Sequence, residues 1–175
     1  PPDGYTPVIV HIGTMAIKLG KLFGLTVIVT CGSDDKCVAA KALGADHAIN
    51  YSSTDFVEEV KKITEGAGVH IVLDMVAGSY VPRNLQCLRE DGRHVTIAVQ
   101  GGMVAEINMA YVMSRRLTLT GSTLRPRAAE FKAVLVQEIY GTVWPMVADG
   151  QLRPEMDKSF ALADAAAAHA HMESG

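Results

Sequence analysis

The sequence predicts an α/β fold: a doubly wound, six-stranded parallel sheet in the order 3-2-1-4-5-6, with helices on both faces. Three observations predict it. Short apolar runs at 6–10, 25–30, 70–76, 95–99 and 117–120 alternate with helix-like segments at the spacing of βα units. The runs are apolar on both faces, as strands covered from both sides must be. Glycines stand where the intervening helices should end, at positions that favour a left-handed residue.

The elements follow in order. A strand over 6–11 leads into a helix over 13–23, which Gly24 closes. A second strand, 25–30, precedes a helix over 34–43 with Ser33 at its entrance and Gly44 at its exit. The third strand, 46–50, is followed by a helix over 54–64, entered at Ser53 and closed by Gly66 and Gly68. The fourth, 70–75, leads through Gly78 to a helix over 79–88; the fifth, 93–98, to a helix over 108–114. The sixth, 116–122, precedes a longer helix over 128–148, which Pro145 should kink or end. Right-handed crossovers between six such strands give the Rossmann-type sheet order. Residues 1–150 then form the nucleotide-binding unit. Residues 151–160 read as an extended segment leaving it, and 162–174 as an Ala-rich helix with little large apolar surface, shaped for close packing.

Composition narrows the function. The chain has 175 residues, enough for one domain with a real core, and is 49% apolar with mean hydropathy +0.18. No apolar run approaches the ~18 residues of a membrane span. A net charge of −3 without a basic patch excludes a nucleic-acid binder. Cys31, Cys37 and Cys87 have neither metal spacing nor an even-numbered disulfide set, which points to a reducing cytoplasm. His169 and His171 face different ways on a helix, and His11, His47, His70 and His94 lie at strand ends. No metal site is expected. No nucleophile–base pair is visible, so no catalytic side chain is assigned. Asp74, ending a buried strand, is expected to hydrogen-bond a loop or helix cap rather than act as a base, and Met103, Met109 and Met113 to fill core.

A sheet of this kind binds dinucleotides at the carboxyl ends of its strands, with the pyrophosphate at a helix N-terminus. Ile12 and Gly13 open the first helix and are the candidates for that contact, although Gly13 also suits close helix–strand packing. The glycine-rich turn that normally precedes them is missing, which suggests a break in the chain, or a deletion, between His11 and Ile12. The second strand ends Thr30-Cys31-Gly32-Ser33, with no acid at its tip to accept the ribose hydroxyls of NAD. Lys36 stands in the first turn of a helix, where the macrodipole disfavours a cation. On the residues alone it is either a 2′-phosphate ligand or a solvated lysine balanced by Asp34 and Asp35.

Several segments carry a family likeness: Ile12-Gly13-Thr14-Met15-Ala16-Ile17-Lys18-Leu19, Gly32-Ser33-Asp34-Asp35-Lys36, and Leu43-Gly44-Ala45-Asp46-His47-Ala48-Ile49-Asn50-Tyr51. Leu73-Asp74-Met75-Val76-Ala77-Gly78 and Leu119-Thr120-Gly121-Ser122 continue it. In order and spacing the chain resembles the quinone oxidoreductase (zeta-crystallin-like) branch of the medium-chain dehydrogenases/reductases. The resemblance implies an oxidoreductase that transfers hydride from NADPH to a quinone-like acceptor without zinc, this chain supplying only the cofactor-binding domain. It implies a β-rich substrate domain before residue 1 and a terminal strand after residue 175, so that the fragment alone is inactive. It places Ser33, Lys36 and Tyr51 around the 2′-phosphate, Val76, Ile97 and Ala98 along the ribose and nicotinamide, and Ser122 and Thr123 at the nicotinamide end. Ala77 departs from the glycine usual there. Homodimers are implied through the open edge at 117–122. The alternatives are an enoyl or alkenal reductase of the same superfamily and a non-catalytic nucleotide-binding module. A methyltransferase is disfavoured, because neither an acid at the second strand tip nor an antiparallel last strand is evident.

Overall fold

The computed structural model describes residues 7–10, 13–156 and 158–173. Its elements are β1 (Pro7–Val10), α1 (Thr14–Leu22), β2 (Thr26–Cys31), α2 (Asp34–Ala42), β3 (His47–Asn50), α3 (Phe56–Ile63), β4 (Val69–Asp74) and α4 (Tyr80–Cys87). There follow β5 (Leu88–Thr96), α5 (Met109–Ser114), β6 (Thr118–Gly121), α6 (Ala129–Thr142), α7 (Trp144–Ala148), a 3₁₀ turn at Leu162–Asp164, and α8 (Ala165–Glu173). The sheet order is β3-β2-β1-β4-β5-β6, and each neighbouring pair is parallel. This is the doubly wound sheet expected from the apolar periodicity.

β2 shows why the sheet needs helices on both sides. Its side chains alternate between faces: Val27 and Val29 join a core with Ile17 of α1 and Ala40 of α2. Ile28 joins a second core with Phe56, Val60, Val72 and Leu85, under α3 and α4. Gly20 lets α1 approach β2, since a Cβ there would lie 2.8 Å from Val27 Cγ2. Asp46 ties three elements together: it takes Lys21 Nζ at 2.8 Å and the Val27 amide at 2.7 Å just before β3 begins.

Several boundaries differ from expectation, each for a local reason. α3 is capped by Asp55, whose carboxylate accepts the Val57 amide at 2.9 Å, rather than entered at Ser53. β5 begins at Leu88, paired with Val69; the register then shifts so that Arg93 meets Ile71, with Asp91 left-handed at φ 61° in between. The long helix expected over 128–148 is two, because Pro145 falls in the first turn of α7, where its missing N–H costs nothing. The segment after residue 150 does not simply leave the domain. Leu152 is only 3% exposed, and Lys18 Nζ of α1 binds the Arg153 carbonyl at 2.8 Å and the Glu155 carboxylate. No helix among the described residues is long and apolar enough to cross a membrane.

Candidate functional site

The strand order reverses between β1 and β4, and the cleft at the carboxyl ends of these strands is the place where open α/β sheets bind ligands. A cavity of about 590 Å³ opens there. On one side it is lined by Gly13 at the start of α1, by Thr30, Cys31 and Gly32 ending β2, and by Lys36 of α2. Tyr51, after β3, stands on that same side; on the other are Met75 and Val76 after β4 and Gln100 and Gly101 after β5, with Tyr80 also lining the cavity. A second cavity of about 280 Å³ continues between α1 and α2 and shares Gly13, Thr30, Cys31 and Lys36.

The Lys36 wall is built by a helix cap. Ser33 is the N-cap of α2, extended at φ −153°, and its hydroxyl accepts the Lys36 amide at 3.3 Å. Asp34, a possible counter-charge for the lysine, instead accepts Asn50 Nδ2 at 2.8 Å. Lys36 takes part in none of the ion pairs found among the described residues. Cys31 beside it is a poor nucleophile: burial, then the neighbouring Cys37, push its thiol up to about 11, against a smaller opposing pull from Lys36.

Tyr51 is held against this wall. Its amide donates to the Cys31 carbonyl at 3.0 Å, and Ser52 Oγ donates to the Gly32 carbonyl at 2.9 Å. A Cβ on Gly32 would come within 3.0 Å of the Tyr51 hydroxyl, so the glycine makes room for the ring. Tyr80 meets Tyr51 edge-on at 6.4 Å and stacks on Phe56 at 5.9 Å, while the Arg83 guanidinium lies 4.3 Å from the Phe56 ring centre.

The opposite wall consists of two loops in backbone contact. Gly101 N donates to Val76 O at 2.7 Å and Gln100 N to Met75 O at 3.2 Å. A Cβ on Gly78 would sit 2.5 Å from the Gly101 oxygen. Asp74, fully buried at the end of β4, accepts the Val76 and Ala77 amides at 2.7 and 3.0 Å, which is the loop-holding role its position suggests. Burial opposes its charge, but hydrogen bonds from His94, Ala77 and Val76 outweigh that and hold its pKa down to about 2.

Of the residues expected to hold a cofactor, the cleft brings together Gly13, Lys36, Tyr51 and Val76, with Ser33 bonded behind Lys36. Ile97 and Ala98 follow β5 half-buried, and the Ile97 amide is used on the Asp74 carbonyl at 2.8 Å. Ser122 and Thr123 are exposed beyond the edge strand; neither these two nor Ile97 and Ala98 line the cavity. Ile12, and the junction with His11, lie outside the described residues. Sequence reasoning missed Tyr80 and the Gln100–Gly101 loop. Gly101-Gly102 after a strand is a turn signal that marks the loop; nothing in the spacing marks Tyr80.

The family described as zinc-binding dehydrogenase matches residues 12–139. The 2-haloacrylate reductase of Burkholderia sp is 31% identical over 92% of this chain and 48% of its own length. Quinone oxidoreductase 1 of Escherichia coli is 28% identical over 93% of this chain and 50% of its own. The crystal structure of Escherichia coli quinone oxidoreductase complexed with NADPH superposes with a TM-score of 0.82 at 27% identity, over 97% of this chain and 54% of that one. The chain thus spans about half the length of these relatives. Among the described residues no three His, Cys, Asp or Glu side chains converge as a metal cluster.

Proposed function

Because the chain belongs to the zinc-binding dehydrogenase family of medium-chain dehydrogenases/reductases, we propose that it forms the NADPH-binding half of a quinone oxidoreductase-like enzyme. One observation carries the reading: an exposed lysine with no ion-pair partner among the described residues lines the cleft where an NAD-selective protein places an acid. Lys36 and Ser33 hold the adenosine 2′-phosphate, and Tyr51 closes over that end. Gly13 receives the pyrophosphate at the start of α1. The loops at Val76 and at Gln100–Gly101 flank the ribose, while Ile97, Ala98, Ser122 and Thr123 lie toward the nicotinamide end.

Bound NADPH supplies the hydride; the chain's own part is to bind and orient it and to keep one face dry. No side chain of the cleft is asked to move a proton. Residues 1–150 serve as the nucleotide unit. Residues 151–175 lead toward the domain that completes the acceptor site. Pairing of two copies through β6 is part of the same proposal.

A second acceptor class is supported by the likeness to a 2-haloacrylate reductase, namely an activated alkene reduced across its double bond. The experiment is a titration of the chain with NADPH and with NADH, followed by fluorescence. Tighter binding of NADPH supports the reading, and equal affinity sinks it. Oxidation of NADPH by quinones and by 2-haloacrylates, assayed with the full-length protein, then separates the two acceptor classes.

A further inference from the structure

We propose that His94 is a positioning residue for cofactor binding: through the Asp74 carboxylate it holds the β4–α4 turn in the shape that forms one wall of the cleft. The consequence for binding rests on the nucleotide reading above; the contact itself does not.

The turn needs holding. Ala77 and Gly78 are both left-handed, at φ 58° and 53°, and an alanine adopts that conformation only at a cost. Asp74 Oδ1 fixes it by accepting the amides of Val76 and Ala77. That oxygen stays aimed at the turn only while Oδ2 is held too. Oδ2 accepts Asn84 Nδ2 of α4 at 3.0 Å and His94 Nε2 of β5 at 3.1 Å. The carboxylate can only accept, so the imidazole donates.

Register explains the reach of His94. It pairs opposite Val72, and side chains two apart on β4 share a face, so His94 meets Asp74 on the diagonal. Asp74 and Asn84 are 0% exposed and His94 is 2% exposed, and none of the three lines the cleft. The trio therefore acts on a ligand only through the turn, whose outer side is clamped to Gly101. A buried carboxylate deprived of one donor is costly and must reorient or draw in water, and the turn would loosen with it.

The test compares the chain with His94→Leu, which fills the space without a donor, and His94→Gln, which restores an N–H. Amide hydrogen exchange at Val76 and Ala77 reads the turn, and exchange at Val27–Val29 in β2 reports whether the core is intact. His94→Leu should raise exchange at Val76 and Ala77 at least tenfold without change in β2, and should weaken NADPH binding at least fivefold. His94→Gln should return both to within about threefold of the unmutated chain. Should His94→Leu not fold, His94→Met serves in its place, again without a donor, with the same local rise expected. Unchanged exchange at the turn, or a His94→Gln variant no better than His94→Leu, overturns the proposal. An unmutated chain that binds no NADPH defeats the nucleotide reading instead, and the exchange measurements still decide the role of His94.

Discussion

Two side chains, Lys36 lining the cleft and Asp74 buried behind its wall, each carry a prediction. If Lys36 meets the 2′-phosphate, Lys36→Ala should remove most of the preference for NADPH over NADH, by about 1.5–3 kcal/mol, the range of a hydrogen bond to a charged group. Titration of both cofactors checks it, and affinity for NADH should hardly move. Asp74 carries the second. Its pKa is depressed from 3.8 to about 2 in the folded chain, so its contribution is complete above pH 4 and is lost as the pH falls toward 2. That contribution is on the order of 2 kcal/mol, and Asp74→Asn should flatten this part of the stability–pH curve measured by urea unfolding. Lys36 was legible in the sequence because a cation in a first helical turn breaks a local electrostatic rule. The partners of Asp74 were not, because His94 reaches it from another strand, 20 residues away.

At the level of elements, β6 is an edge. Its ladder to β5 ends with the Ser122 amide on the Thr96 carbonyl at 3.0 Å, so by alternation the Thr120 amide also faces β5, whereas those of Leu119 and Gly121 face outward. An open edge with outward donors invites a second strand. For the proposed dimer, proline at 119 removes an outward donor, while proline at 120 would break the sheet itself. Leu119→Pro should therefore lower association in sedimentation velocity with most of the secondary structure retained, and Thr120→Pro should cost folding. The strands and helices were readable to within a few residues because apolar periodicity and glycine stops are local signals. The register shift in β5 was not, because it depends on how 89–92 bulge against β4.

Across the whole molecule, two apolar layers sandwich one sheet, and most of the largest fully buried groups, Phe56, Ile28 and Leu88 first, lie in the layer under α3 and α4. Cys87 sits in that layer with its thiol pushed up to about 12 by burial. The thiolate is the reactive form, so Cys87 should be modified by a disulfide reagent at pH 8 only when the core opens. Its labelling rate, measured against urea concentration, should track global unfolding rather than local fraying. Fast labelling of Cys87 in the native chain would contradict this packing. The same layering leaves α6 without a buried residue, with Phe131, Val134 and Tyr140 exposed.

The sequence by itself determined the sheet, its strand order and the alternation of helices, and it singled out Lys36, whose part in cofactor choice is our proposal. Each follows from periodicity, chain chirality or a charge placed against a helix dipole, all properties of residues close together in the chain. Only the tertiary structure decided what faces the cleft. It brought in Tyr80 and the Gln100–Gly101 loop and kept Ser122 and Thr123 out at the edge. It also joined Asp74 to His94 across two strands. Such groupings depend on strand register and on backbones close enough to exclude a Cβ, and both are set by the packed sheet as a whole.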